Sequence, residues 1–296
     1  MTAPLPARED RPVRGIGMML CAYLLFSCID TSVKWLALLG LPVFQLVFMR
    51  YAGHVVISIA RLRANRLTWP GRRDLWLVIL RGALLALSTL LNFAALQTLP
   101  LTLTATIMFS SPLIICLLSG PVLGERVGPW RWGACLTGFA GILVAIRPFG
   151  GGLDWAVLYS LSAAATLAGY TLLTRYLSGR ASTDLQQLFS GLVGAVALLP
   201  FALVTWQSPE TARDWVLLCA LGFFGWAGHE LLTRAHGYAP PSLLSPFSYS
   251  FLLYLTAWSW LLFDTLPDRN AVIGAAIIVG SGLVLWLREG RTRANA

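Results

Sequence analysis

Ten apolar segments, each long enough to cross a lipid bilayer as a helix, take up most of the 296 residues of this chain. A bilayer core of roughly 30 Å needs about 20 helical residues, since each residue advances an α-helix by about 1.5 Å. The predicted spans lie near residues 15–38, 42–62, 74–97, 101–123, 130–147, 154–178, 184–206, 213–237, 241–263 and 269–288. The links between them are short, so little chain is left for a soluble domain.

The composition supports the same conclusion. Hydrophobic residues make up 57% of the chain and charged residues 12%, whereas soluble domains carry about 25% charged residues. The mean hydropathy is +0.70. A soluble protein with a large core would not repeat uninterrupted apolar runs of this length ten times. The sequence therefore predicts an all-α polytopic membrane protein whose main surroundings are the lipid bilayer.

The net charge of +9 first suggests a nucleic-acid partner, but the positions of the cations argue against one. If the N-terminus is cytoplasmic and the links alternate, sixteen arginines lie in cytoplasmic segments and three in outer links, Arg147, Arg213 and Arg269. This excess is the positive-inside bias of inner-membrane proteins. We therefore expect both termini in the cytoplasm and no nucleic-acid partner.

The two halves of the chain resemble each other at a shift of about 140 residues. The matching positions keep their order: Lys34 and Trp35 with Arg175 and Tyr176, Pro100 with Pro240, Thr102 with Ser242, Gly133 with Gly274, and Gly141 with Gly282. Residues 1–147 and 154–288 would each hold five spans, and 289–296 would form a cytoplasmic tail. Because five is odd, the copies must insert in opposite orientations, as in many secondary transporters. An old duplication without a transport role would leave the same pattern.

Residues 94–148 resemble the fourth and fifth spans of the EamA-type transporters of the drug/metabolite transporter superfamily. They read AALQTLPLTLTATIMFSSPLIICLLSGPVLGERVGPWRWGACLTGFAGILVAIRP, with a proline within the span, an LGER turn and a glycine-rich closing helix. Residues 235–287 repeat the theme more loosely, with Asp264 where a glutamate is usual. Lys34, Pro42 and Arg50 also fit the family's first two helices.

The resemblance implies ten helices in two inverted five-helix repeats, and export or exchange of small metabolites. The amino-acid exporters of this superfamily, including those for aromatic amino acids, are the members that the chain resembles.

Charged groups inside spans are costly, at about 2.5–3.5 kcal/mol each on insertion scales, and so require an explanation. Asp30 and Lys34 lie four residues apart on one face of the first span, in the order that favours a helical ion pair. The plain expectation is mutual neutralisation near the outer end. The alternative is a gating or coupling element that opens when the pair breaks.

The second span carries Arg50 and His54, also four residues apart, and the third carries Arg81. For Arg81 we favour a side chain that extends to the cytoplasmic surface. Arg50 has Gly191 as its counterpart in the second half, so its charge breaks the repeat symmetry. Its planar donors suit carboxylates or backbone carbonyls. We assign Asp30, Lys34, Arg50, His54 and Glu230 to a gating or charge network.

Polar and aromatic residues at helical spacing mark a candidate cavity lining. They are Ser88, Asn92, Trp226, His229 and Tyr249. Polar faces in lipid turn inward, either to join helices or to line a path. His229 and Glu230 are candidates for proton coupling, although a structural hydrogen-bond network explains them equally well. An apolar and aromatic wall with few polar groups suits a modest-sized, partly apolar solute.

The remaining function classes lack their signatures. The chain has no GxxxxGK[ST] phosphate loop, no HExxH helix and no clustered histidines, so we expect no enzyme, cofactor or metal site. Short links leave little surface for a receptor. The sequence predicts an inner-membrane secondary transporter that exports amino acids, with a nucleotide-sugar or other polar-metabolite carrier as the alternative. Ten helices can enclose a path unaided, so a functional monomer fits.

Overall fold

The structure is a computed structural model that describes residues 11–62, 69–111, 113–115, 117–118, 129–146, 154–177, 180–238 and 244–294. Within these residues the chain forms ten helices and no β-strand. The helices are α1 Pro12–Leu38, α2 Val43–Leu62, α3 Arg72–Thr98, α4 Leu101–Met108, α5 Pro129–Ile146, α6 Trp155–Tyr176, α7 Thr183–Thr205, α8 Ala212–Tyr238, α9 Ser250–Phe263 and α10 Arg269–Ala294.

Six helices, α1, α2, α3, α6, α7 and α8, are long and apolar enough to cross a membrane. The apolar helices in the regions of α4, α5, α9 and α10 are shorter, at 10–17 residues. The predicted all-helical membrane fold is confirmed in this form. The expected ninth span differs at its start, where residues Ser245–Tyr249 form a 3₁₀ turn before α9 begins. Pro246 lies in that turn, and a proline has no N–H for an α-helical hydrogen bond.

Local sequence explains where several helices begin and end. Gly40, with φ of 86°, follows α1 in the left-handed conformation that glycine adopts without strain. Ser182 caps α7 by accepting a hydrogen bond from the Leu185 amide at 3.4 Å. Asp154 caps α6 by accepting one from the Ala156 amide at 3.0 Å. Gly40 thus ends α1, and the two N-caps begin α6 and α7, and the short links between helices make consecutive helices run antiparallel.

The packing of the helices is mirrored between the two halves. Helix α1 packs along α8, and α6 packs along α3 in the same manner. Helix α2 also contacts α8 as α7 contacts α3, and α1 contacts α9 as α6 contacts α4. The remaining major pairs join α2 with α7, α4 with α9 and α5 with α10. These major pairs are unchanged when each helix is exchanged with the one five places away, as expected for a pseudo-two-fold axis between two repeats, whereas the smaller contacts of α3 with α1 and α2 lack such counterparts among the described residues.

Glycines allow the closest helix approaches in this arrangement. A methyl group built on Gly53 of α2 would lie 2.9 Å from Cα of Gly222 on α8. At the mirrored α3–α7 crossing, a methyl group on Gly82 would lie 3.2 Å from Cα of Ser190. Small residues at such crossings let backbones touch, which is how helices associate tightly in lipid.

The outer surface of the bundle is apolar. Large hydrophobic side chains that remain exposed include Val56, Leu136, Val196, Val204, Val216, Leu253 and Leu261. A contiguous apolar exterior of this kind suits contact with lipid chains. Buried polar side chains, by contrast, lie in the interior, most of them on α1, α2, α3, α6 and α7 and others on α4, α8, α9 and α10.

Candidate functional site

Arg50 lies inside the bundle, where three helices meet. Its Nη1 donates a 2.6 Å hydrogen bond to the Thr89 hydroxyl on α3. Its guanidinium also lies 5.5 Å from the centre of the Tyr51 ring and 5.7 Å from that of Phe93. Gly225 of α8 leaves room for it, since a methyl group there would lie 3.3 Å from Arg50 Nε. The cation therefore faces the protein interior and not the lipid.

A short hydrogen-bond chain holds Arg50 in place. The Tyr51 hydroxyl donates to the Leu85 carbonyl at 2.9 Å and lies 2.7 Å from the Thr89 hydroxyl. This leaves Thr89 as the donor to Tyr51 and the acceptor from Arg50. Tyr51 is itself packed against Gly194 of α7. The orientation of the guanidinium is thus set by a buried side chain that touches both halves of the chain.

Asp30 of α1 lies on the same side of the interior. Its carboxylate accepts a hydrogen bond from Asn92 Nδ2 of α3 at 3.4 Å. It is close enough to Arg50 for the two charges to interact. Asp30, Arg50 and Asn92 each lie 6–8 residues from the ends of their helices at the α1–α2 link, which is about 10 Å inside the bundle. We call this end of the molecule the α1–α2 end.

The expected ion pair between Asp30 and Lys34 is wrong. The Lys34 amine instead donates a 3.0 Å hydrogen bond to the Leu99 carbonyl, in the link between α3 and α4. A spacing of four residues puts the two side chains on one helix face, but the long side chain of Lys34 can extend away from Asp30 toward another partner. The gating role assigned to the two residues stays a prediction.

Lys34 lines a cavity of about 490 Å³ that lies at the α1–α2 end. Its wall is formed by Lys34, Trp35, Leu38, Leu39, Thr98, Pro100, Leu101, Ser259, Leu262, Phe263 and Thr265. It is largely apolar, with one amine and three hydroxyls. None of the five residues predicted to line a cavity borders this one.

The side chain of Arg81 is buried, whereas the sequence predicts that it extends to the cytoplasmic surface. It is 4% exposed and does not reach the surface. Its guanidinium donates to Thr174 (2.7 Å), the Gln186 carbonyl (3.1 Å), the Ser190 hydroxyl (2.8 Å) and the Tyr170 hydroxyl (2.7 Å). The predicted surface position is wrong because α3 turns this side chain toward α6 and α7, where neutral oxygens satisfy it.

His54 and His229 lie within electrostatic range of both Arg50 and Arg81. His54 is buried on α2, and its Nε2 has no hydrogen-bond partner among the described residues. The His229 ring contacts Phe26 with centroids 5.0 Å apart and faces Tyr170 at 6.5 Å. The predicted residues His54 and His229 therefore belong to one interior cluster with Arg50.

We call the other end of the bundle the α2–α3 end, and Glu230 of α8 lies toward it, one turn after Trp226 at the middle of that helix. Glu230 pairs with Arg61 at 2.6 Å and with Arg234 at 2.8 Å. The Arg61 guanidinium also lies 5.5 Å from the Trp226 ring. These contacts connect α2 with α8 and lie apart from the Arg50 cluster.

Ser88 and Tyr249 complete the predicted set. The Ser88 hydroxyl donates to the Ala163 carbonyl of α6 at 2.8 Å and so joins two helices. Tyr249 packs on Phe109 with ring centroids 5.3 Å apart. Of the ten candidates, the structure brings together Asp30, Arg50, His54, Asn92 and His229, and it places the others at helix contacts or at the ends.

The sequence analysis missed Thr89, Tyr51 and Tyr170, which contact the two buried arginines. Tyr51 follows Arg50 directly, and Thr89 lies one helical turn before Phe93. Their hydroxyl groups gave no distinct signal in the sequence, because single hydroxyls are common in membrane helices. Only the packing of α3 against α2 and α6 shows which of them meet a charge.

Comparisons with known proteins agree with this architecture. The sequence pattern described as the EamA-like transporter family matches the chain twice, over residues 13–147 and 154–287. A riboflavin transporter of Vibrio cholerae is 28% identical over 290 residues, 97% of each chain. A pseudopaline exporter of Pseudomonas aeruginosa is 26% identical over 273 residues, 92% of this chain and 95% of that one.

Two further matches extend the comparison. An S-adenosylmethionine uptake transporter of Rickettsia bellii is 26% identical over 286 residues, 95% of this chain and 96% of that one. A solved crystal structure of a protein has a TM-score of 0.66 at 23% identity, over 95% of this chain and 99% of that one. The last likeness concerns the fold alone.

Proposed function

This chain belongs to the EamA-like transporter family of the drug/metabolite transporter superfamily, and from that premise we propose that it exports amino acids. The proposed cargo includes aromatic and apolar amino acids and related small metabolites. The protein would act as a secondary transporter of the inner membrane, by alternating access and without enzymatic chemistry.

The observation that carries this proposal is a charged cluster inside an apolar bundle. Asp30 and Arg50 lie about 10 Å from the ends of their helices, where a charge costs several kcal/mol unless it is paired or hydrated, so charged residues there are candidates for function. The Tyr51 and Phe93 rings lie beside Arg50, and the Phe26 and Tyr170 rings lie beside His229 of the same cluster. A solute with both polar and apolar parts suits such surroundings.

The mirrored helix packing supports alternating access. We propose that residues 1–147 and 154–288 form two five-helix repeats in opposite orientations. Each repeat would then contact the other through equivalent helix faces. Rocking of one repeat against the other around a central site is the usual mechanism for such a plan. The α1–α2 end would then face outward and the α2–α3 end, with both termini, the cytoplasm, as the arginine distribution favours.

The alternative is a carrier of larger polar metabolites. The names of the relatives support it, since they give riboflavin and S-adenosylmethionine as cargo of those proteins. S-adenosylmethionine itself carries an α-amino-acid group, so the two proposals overlap in the chemistry that the site must recognise.

Exchange assays on purified protein in liposomes separate the proposals. Vesicles loaded with unlabelled L-phenylalanine, L-methionine or L-threonine are diluted into the labelled amino acid, with and without a pH gradient. We expect exchange of at least one amino acid, and dependence on the gradient would indicate proton coupling. Exchange of riboflavin or a nucleotide sugar with none of the amino acids would favour the alternative.

A further inference from the structure

Two arginines lie inside the bundle, and they differ in how completely their donors are used. Arg81 donates four hydrogen bonds through Nε, Nη1 and Nη2, so its guanidinium is almost saturated. Arg50 donates one, from Nη1 to Thr89. Among the described residues, neither forms an ion pair with a carboxylate within 4 Å. Within the part of the chain that the structure describes, Arg50 is therefore a positioned cation with unused donors.

Unused acceptors lie next to this cation. The Asp30 carboxylate accepts one long hydrogen bond, from Asn92 Nδ2 at 3.4 Å. The Oδ1 atom of Asn92 is buried and has no partner within the described part of the chain. A buried amide oxygen without a partner costs about 1–3 kcal/mol, so its position requires an explanation, and a bound ligand is one.

We propose that Arg50 and Asp30 form the two poles of a binding site for the zwitterionic head group of an α-amino acid. The Arg50 guanidinium donates to the carboxylate of the ligand, and the Asp30 carboxylate and Asn92 Oδ1 accept from its ammonium group. This inference rests on the proposed transport of amino acids and adds which residues recognise which charge.

The separation of Asp30 and Arg50 supports this assignment. Removing two opposite charges from water is costly, and direct contact with good geometry recovers part of that cost. Here the two charges interact electrostatically but form no ion pair within 4 Å. Within the described part of the chain, each retains unused hydrogen-bonding capacity. A ligand with both charges satisfies the two residues at once, whereas a purely cationic or anionic ligand satisfies one.

The surroundings of Arg50 hold it ready for a carboxylate. Thr89 fixes Nη1, and the Tyr51 and Phe93 rings lie beside the guanidinium. Gly225 lies against Nε, and Ile29 of α1 is near the same point. A preorganised cation loses little entropy on binding. Ile29 and Phe93 give the side chain of the ligand an apolar place beside the charges.

Three matched compounds test the two poles separately: L-phenylalanine, L-phenylalanine amide, which lacks the carboxylate, and 3-phenylpropionate, which lacks the ammonium group. Each competes with labelled L-phenylalanine for exchange by the full-length protein in liposomes. For the wild type we expect each analogue to be at least about ten-fold weaker than the amino acid, the usual effect of losing one hydrogen bond to a charged group.

Substitutions should then change selectivity in opposite directions. Arg50→Gln should bring the amide and the amino acid to equal potency, with 3-phenylpropionate still weaker. Asp30→Asn should bring 3-phenylpropionate and the amino acid to equal potency, with the amide still weaker. A substitution that only disturbs packing would weaken the binding of all three compounds alike. Arg73→Gln and Glu210→Gln, exposed at a helix start and in a link, serve as controls that keep the wild-type ratios.

Ligand-induced thermal stabilisation in detergent repeats the comparison without requiring transport. If Arg50→Gln fails to fold, Asp30→Asn still tests recognition of the ammonium group. Arg50→Lys then tests recognition of the carboxylate. Unchanged ratios in folded Arg50 and Asp30 variants would overturn the two-pole site while leaving amino-acid transport in place. A wild type that exchanges no amino acid would overturn the proposed function, and the two-pole site with it.

Discussion

The side chain of Gln45 and the backbone of Gln207 exchange two hydrogen bonds across the two halves of the chain. Gln45 Nε2 donates to the Gln207 carbonyl at 2.7 Å, and the Gln207 amide donates to Gln45 Oε1 at 2.9 Å. Gln45 is fully buried at the start of α2, and Gln207 follows α7. The two links at the α1–α2 end are therefore held together by one side chain.

Replacing Gln45 should loosen this end of the molecule. Gln45→Ala removes both hydrogen bonds and leaves two backbone groups without a partner, which we expect to lower the stability by about 1–3 kcal/mol. Gln207→Ala is the matched control, because Gln207 takes part through its backbone alone. Melting temperatures in detergent should fall for Gln45→Ala and stay near wild type for Gln207→Ala. Equal melting temperatures would show that the contact contributes nothing.

The α2–α8 crossing should not tolerate a larger residue. A methyl group on Gly222 would lie as close to Cα of Gly53 as 2.5 Å, and backbone cannot move aside as a side chain can. We expect Gly222→Ala to cost about 1–3 kcal/mol, as overpacking usually does. Gly17→Ala on α1 has no atom within 4 Å of the added methyl and should be neutral. Comparable unfolding temperatures for the two variants would contradict the close approach.

The Arg81 network should depend on the shape of the guanidinium and not only on its charge. Arg81→Lys keeps the charge but cannot reach Thr174, Ser190 and Tyr170 together, since an ammonium has no planar fork. We expect a loss on the order of 3 kcal/mol, from hydrogen bonds to a buried charge. Arg73→Lys, exposed at the start of α3, should have little effect. If both variants unfold alike, the network is not a stabilising element.

The sequence predicts the helices well because lipid imposes a strong and simple rule. Every backbone polar group must be satisfied within its own helix, so a spanning segment must be apolar and of a set length. The repeat was also visible, as matches such as Gly133 with Gly274 keep their order. The start of α9 was harder, because a 3₁₀ turn and an α-helix share the same apolar composition.

The site could be predicted only in part, for a geometric reason. Spacing along one helix shows which residues share a face, and so Arg50 with His54 was found. It does not show which neighbouring helix that face meets. Lys34 reaches Leu99, and Arg81 reaches Tyr170 and Ser190, through contacts more than 60 residues apart in sequence. Such partners follow from helix packing, which pairwise spacing does not encode.

Ser88 and Asn92 share a face of α3, and the structure separates their roles. The Ser88 hydroxyl donates to the Ala163 carbonyl, while Asn92 contacts Asp30 and its Oδ1 has no partner among the described residues. We expect Ser88→Ala to lower the free energy of unfolding by about 1 kcal/mol, the net contribution of one hydrogen bond, and so to lower the melting temperature. Asn92→Leu should instead raise the half-saturating amino-acid concentration for exchange by about ten-fold, since it removes an acceptor for the ammonium group. Concentration series in liposomes and unfolding curves in detergent check both. A shift in affinity for Ser88→Ala as large as that for Asn92→Leu would place both residues at the ligand and contradict this division.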